Sequence, residues 1–402
     1  MAGTVVIAGA LDTKGSEFAF VKDLIAAYGL TPLLVDFGVL GDPEIRPDIS
    51  NEQVAAAGGG DLHQLRASRD KAEAMKVMTA GLTVIIRGLH KKGQLQGMLS
   101  MGGTGGTAIA TAAMRTLPVG IPKVMVSTVG GGDTSAYVGS RDIIIIPSVV
   151  DVAGINRISR TIYTNAAGAI AGMVMNGPVI HKADRPLIAA SMFGNTTICV
   201  DRSRGELEKR GFEVLVFHAT GAGGRTMKSL VEDGLITGIF DVTTTEIADE
   251  VCGGVFSAGP DRIHMASSRN VPMVLAPGCV DMCNFSARAT VPPQYASRNL
   301  YEWNYNVTLL RTNIEENVEI GKMLSATANM AKGPVAVLVP LGGVSMLDSP
   351  GGPFWDPEAD RSCFEAIKQN LRRDIFYEEV DANINDPQFA DRATEHMLRM
   401  TK

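Results

Sequence analysis

The sequence predicts an α/β protein built of two Rossmann-like, doubly wound subdomains with mostly parallel sheets, the second an architectural duplicate of the first, facing it across a cleft. Three observations carry that prediction. Short apolar runs recur with polar, glycine-rich ends and helical patterns after them, which is the grammar of βαβ units. That grammar lapses near residue 175 and restarts at Leu187. The 402 residues also exceed what one ordinary core holds, so two domains of roughly 150 to 220 residues are expected, here 1–180 and 187–402.

Val5 to Gly9 reads as a first buried strand, and a helix follows to Tyr28. A second strand, Pro32 to Asp36, ends on an acid. A less regular region then leads to a long helical pattern from about Ser68 to His90. Strand three, Gly97 to Met101, opens onto Gly102-Gly-Thr-Gly-Gly-Thr107 and an alanine-rich helix from Ala108 to Met114. Strand four is Lys123 to Ser127, strand five Asp142 to Val150, and a helix spans Ile155 to Met173. After a linker around Met175 to Pro186, strands are expected at Leu187 to Ser191, Glu213 to Phe217, Ile236 to Asp241, Pro272 to Leu275 and Val335 to Pro340. A helix fits Thr312 to Met330, and Asp356-Pro357 and Asp386-Pro387 each start another, an acid capping a proline at the first helical position.

Composition narrows the function classes. A net charge of -6 without a Lys/Arg cluster speaks against nucleic acid and anionic membranes as partners. No apolar run is long enough to span a bilayer, and the N-terminus shows no signal-peptide pattern, so a cytoplasmic protein is expected. Five scattered cysteines read as reduced thiols. Cys279-x-x-x-Cys283 with Asp281 and His264 is a weak zinc pattern, without paired C-x-x-C, and no metal site is assigned from it.

The central motif is Gly102 to Thr107. Glycines let a phosphate approach the backbone, and the first N–H groups of the following helix lack intrahelical partners. Gly103 to Ala108 also satisfies G-x-G-x-x-G/A, although no acid follows about 20 residues on and the loop belongs to the third strand. In an open parallel sheet ligands collect beyond the carboxyl ends of the strands. The nucleotide site is therefore assigned to Asp12, Thr13, Lys14, Asp36, Gly102, Gly103, Thr104, Gly105, Gly106, Thr107, Thr128, Gly130, Gly131, Gly132 and Asp133, with Mg²⁺ near Asp12 or Asp133. A second anion site is expected at Thr220, Gly221, Gly223, Gly224 and Arg225, with Asp281. His218 and His264 are candidate acid/base groups, against the commoner structural role.

Five stretches together, Gly9-Ala-Leu-Asp-Thr-Lys-Gly-Ser-Glu17, Gly102-Gly-Thr-Gly-Gly106, Ser127-Thr-Val-Gly-Gly-Gly-Asp133, His218-Ala-Thr-Gly-Ala-Gly-Gly224 and Ser257-Ala-Gly-Pro-Asp-Arg262, resemble the family named after the ATP-binding N-terminal region of the tomato mosaic virus resistance protein. The resemblance covers essentially the whole chain. It implies two Rossmann-like subdomains, Mg-ATP in the N-terminal one, and a homodimer. The expected function is an ATP-dependent enzyme acting on a small anionic metabolite in the interdomain cleft, with Lys14, Arg225 and Asp281 carrying phosphoryl or nucleotidyl transfer. The alternatives are a nucleotide-sensing module without turnover and a dinucleotide-dependent oxidoreductase.

Overall fold

The computed structural model describes residues 3–177 and 184–402, which form two compact units dividing at residue 180. Part of the expected linker, residues 178–183, lies outside the described residues.

In the first unit β1 (Thr4–Gly9), α1 (Leu11–Ala27) and β2 (Thr31–Asp36) are followed by three helices, α2 (Asn51–Ala57), α3 (Leu62–Ser68) and α4 (Lys71–Lys91). Then come β3 (Gly97–Gly102), α5 (Thr104–Met114), β4 (Lys123–Ser127), α6 (Ser135–Val138), β5 (Ile144–Pro147) and α7 (Arg157–Asn176). The five strands pair in parallel in the order β2-β1-β3-β4-β5. Both faces are covered, as βαβ crossovers require. Alternation along β1 sends Val6 and Ala8 into one core layer with α4 and α5, and Val5 and Ile7 into the other with α1 and α7.

The second unit comprises β6 (Leu187–Met192), α8 (Thr197–Lys209), β7 (Glu213–His218), α9 (Ala222–Asp233), β8 (Gly238–Thr243), α10 (Thr245–Cys252) and β9 (Met273–Gly278). After these come β10 (Met282–Phe285), β11 (Leu300–Asn304), β12 (Val307–Arg311), α11 (Ile314–Met330), β13 (Val335–Pro340), α12 (Pro357–Asn370), β14 (Phe376–Val380) and α13 (Pro387–Met400). Its main sheet is parallel, in the order β14-β13-β9-β8-β6-β7, and a small antiparallel sheet β10-β12-β11 is appended. Read from β7, the main sheet repeats the strand order of the first unit and adds an edge strand.

Several expectations shift. Helix α5 begins at Thr104, so Gly105 and Gly106 form its first turn rather than preceding it. The fifth strand is only Ile144–Pro147, because proline supplies no N–H to continue the ladder. The long helical pattern from Ser68 is interrupted by Arg69, held at φ 54°, before Asp70 caps α4 through the N–H groups of Ala72 and Glu73. The antiparallel sheet and β14 are not among the expected strands: β10 is only four residues long, and β11 and β14 are exposed or partly exposed and lack a continuous apolar run.

Candidate functional site

In the first unit the strand order reverses at β1, so the crevice is expected between the loops that follow β1 and β3, the rule for sheets of order 2-1-3-4-5. A crevice of about 860 Å³ lies there, lined by Ala10, Asp12, Thr13 and Lys14 after β1 and by Met101 to Gly103, Gly105 and Gly106 around the end of β3. Its other walls are the loop Phe37 to Leu40 after β2 and residues of α3 and α4.

The β2 loop is held from three sides. Asp36 is fully buried and its Oδ1 accepts the N–H groups of Leu11 (3.0 Å) and Gly38 (2.8 Å). Burial raises its pKa to about 6 against these hydrogen bonds. Asp12 Oδ2 accepts the N–H groups of Leu40 (2.7 Å) and Gly41 (3.0 Å), while its Oδ1, also buried, has no partner among the described residues. From α3, Arg66 donates to the carbonyls of Val39 and Gly41. Lys14 leaves the helical conformation of α1 and donates to the carbonyl of Val152.

The glycines of the β3 loop have no packing reason to be glycines. A Cβ at Gly103 would come no closer than 3.8 Å to another side chain, one at Gly105 would meet the end of Met75 at 3.8 Å, and one at Gly106 would meet a carbonyl at 3.9 Å. None of them adopts a positive φ. What the absent Cβ atoms leave open is approach from the crevice. Thr107 is turned inward: its hydroxyl bonds the carbonyl of Gly103 (2.8 Å) and Ser127 Oγ (2.7 Å), tying the loop to β4.

Of the assigned nucleotide contacts, the crevice gathers Asp12, Thr13, Lys14, Gly102, Gly103, Gly105 and Gly106, with Asp36 and Thr107 as buried supports. It does not gather Thr104, Thr128 or Gly130 to Asp133. Gly130 is required by packing, since a Cβ would stand 2.9 Å from the backbone of Pro147. Asp133 caps the turn at Ser135 (2.9 Å). Sequence reasoning missed the wall from α3 and α4. Leu65, Ala74, Met75 and Ile109, with Val39 and Leu40, make an apolar side, and Arg69 and Lys71 bring two cations that have no carboxylate partner among the described residues. Leu40 is 82% exposed.

The second unit contrasts with this. Glu246, at the start of α10, accepts the N–H groups of Gly221 (2.7 Å) and Gly224 (2.9 Å), so the expected anion nest already holds the chain's own carboxylate. Packing dictates the glycines there. A Cβ at Gly223 would lie 1.9 Å from the His218 carbonyl, and one at Gly224 2.1 Å from Glu246. Thr220 is turned back onto the His218 carbonyl by its N–H (2.8 Å). Arg262 locks the arrangement from behind, bidentate to Asp241 (2.7 and 2.8 Å) and donating to Glu246 (2.8 Å), all three fully buried.

Asp281 is not beside Arg225. It is buried against Ser345 (2.8 Å) near Asp348 and Arg311, and burial raises its pKa. His218 stacks near Phe193 (5.3 Å between centroids), and the His264 carbonyl accepts from Ser267. At the β6/β8 switch point the buried Thr196 bonds Thr243 (2.8 Å), and the Asn195 carbonyl accepts the N–H of Met346 (3.1 Å). Among the described residues no group of three or more His, Cys, Asp or Glu side chains is arranged to hold a metal, and no helix is long and apolar enough to cross a membrane.

Two parallel sheets of the same strand order, the first with a crevice at its switch point, define a two-unit Rossmann-like α/β protein. Residues 3–178 match the N-terminal domain and residues 185–401 the C-terminal domain of the uncharacterised protein family UPF0261, and the chain belongs to that family. A UPF0261 protein of Clostridium tetani is 47% identical over 397 residues, 98% of each chain. The ToMV resistance protein Tm-1(GCR237) of Solanum lycopersicum is 39% identical over 337 residues, covering 82% of this chain and 44% of that protein. Likeness to solved structures is slight: the thymidine diphosphate complex of the Streptomyces sp. SF2575 glycosyltransferase SsfS6 aligns at 13% identity over 69% of this chain and 83% of that one, with a TM-score of 0.19.

Proposed function

We propose that the first unit binds ATP with Mg²⁺ in the β1/β3 crevice, and that the protein is an ATP-dependent enzyme transferring a phosphoryl or nucleotidyl group to a small anionic metabolite. One observation carries the reading: the loop after β3 needs glycine at 103, 105 and 106 neither for packing nor for backbone conformation, and it borders a crevice that also offers an apolar wall and two cations without a carboxylate partner among the described residues. The first N–H groups of α5 would orient phosphate oxygens, as helix N-termini do. Arg69 and Lys71 supply positive charge, and Leu40 and Met75 supply an apolar surface for a base.

A Mg²⁺ near Asp12 is part of the reading: Asp12 lines the crevice, and that ion prefers few carboxylates together with phosphate oxygens. When bound, such an ion neutralises charge on the transferring group. The reading includes a homodimer, from the family resemblance, and a cytoplasmic location, supported by five unpaired buried cysteines.

A second reading, a nucleotide sensor without turnover, has its own support: Lys14 and one oxygen of Asp12 are already engaged in holding loops. The two separate on one experiment. Mg-ATP is incubated with the protein and a panel of small phosphates and carboxylates, and ADP, AMP and pyrophosphate are quantified; substrate-stimulated release supports the enzyme, and saturable binding with no release supports the sensor.

A further inference from the structure

We propose that a cavity of about 350 Å³ between α9 and the segment 258–262 of the second unit is a binding site for a small phosphate-bearing molecule. Arg225, Lys228 and Ser229 line it from one face of α9, at positions one turn apart. Ser229 carries the argument furthest. The residue is 8% exposed and its hydroxyl has no partner among the described residues. A helical serine or threonine normally bonds the carbonyl four residues back, as Thr226 does to Ala222 (2.8 Å). Ser229 forgoes that bond although a buried unpaired hydroxyl is costly, and it lines the cavity.

The cations beside it are differently committed. Arg225 reaches only the Ser257 carbonyl (3.2 Å) and has no carboxylate partner among the described residues. Lys228 is paired with Glu232 (2.6 Å), a counter-ion that a phosphate oxygen can replace. Two carboxylates, Asp261 and Glu232, also line the cavity, so the molecule it takes must set its phosphate oxygens toward Arg225, Lys228 and Ser229. Behind the cavity Arg262 is saturated by Asp241 and Glu246, so that wall is fixed. A guanidinium, an ammonium and a hydroxyl together make a donor set that matches a tetrahedral oxyanion.

The test is titration of the full chain with inorganic phosphate, followed by calorimetry, for the wild type, Arg225→Gln, Ser229→Ala and Lys71→Gln, the last removing an exposed cation of the first unit's crevice. Arg225 is exposed and Ser229→Ala removes one atom, so both variants keep the fold, checked by their thermal midpoints. The expected result is a saturable binding component weakened roughly tenfold or more in Arg225→Gln and severalfold in Ser229→Ala, and retained in Lys71→Gln. No saturable binding, or binding indifferent to Arg225 and Ser229, overturns the proposal. Loss of all saturable binding in Lys71→Gln alone also overturns it, and leaves the nucleotide reading of the first unit standing.

Discussion

Replacing Arg262 with leucine tests how the second unit holds its β7–α9 loop. The guanidinium is 1% exposed and satisfies two carboxylates that are 0% exposed, Asp241 within β8 and Glu246, which in turn caps Gly221 and Gly224. Leucine fills much of the volume but leaves two buried carboxylates facing each other without a cation. Removing one partner of a buried ion pair costs about 3–5 kcal/mol, mostly through the charge left behind. For a unit of this size, that corresponds to a fall of roughly 6–20 °C in its thermal midpoint. Both tryptophans, Trp303 and Trp355, lie in the second unit, so intrinsic fluorescence reports its unfolding selectively. Adding Asp241→Asn and Glu246→Gln should recover part of the loss. A loss below about 1 kcal/mol, or no recovery in the triple variant, would refute the reasoning.

Three further outcomes follow from the first unit. Gly9→Ala places a Cβ 2.0 Å from the buried Phe18 ring and should destabilise by about 1–3 kcal/mol, whereas Gly105→Ala, with 3.8 Å of clearance, should leave stability equal or higher while weakening nucleotide binding; circular dichroism melts and nucleotide titration compare them. Asp36 has a folded pKa of about 6, above the ordinary 3.8. Its contribution is therefore fully present below about pH 4 and is lost as pH rises through 6, so wild-type stability relative to Asp36→Asn should fall by about 3 kcal/mol over that window in denaturant melts. Leu40→Ser, at an 82% exposed position, should leave the melt unchanged and weaken ATP by about tenfold, measured by titration.

The strands and the β3 loop were legible because buried parallel strands read as apolar runs and because glycines clustered at a strand end have few uses. The crevice wall was not. Ala74 and Met75 fall in an amphipathic pattern that also packs core, and Arg69 and Lys71 look like any solvated charges until the chain reversal at Asp70 turns them to the crevice. The two glycine loops share a sequence grammar but not a cause. What separates Gly102 to Gly106 from Gly221 to Gly224 is Glu246, 22 residues beyond Gly224, and nothing local to that loop announces it. Gly130 likewise owes its identity to Pro147 on the neighbouring strand.

The most direct test of the nucleotide assignment is calorimetric titration of the full chain with Mg-ATP, alongside NAD⁺ and a non-hydrolysable ATP analogue, in the wild type and in Gly103→Val. Gly103 has extended backbone angles, φ -79° and ψ -167°, and open space where the side chain would go, so valine should fold normally and obstruct only what enters from the crevice. Saturable ATP binding lost in Gly103→Val with an unchanged melt is the predicted result. Absent ATP binding, tighter binding of NAD⁺, or ATP binding indifferent to valine at that position would contradict it.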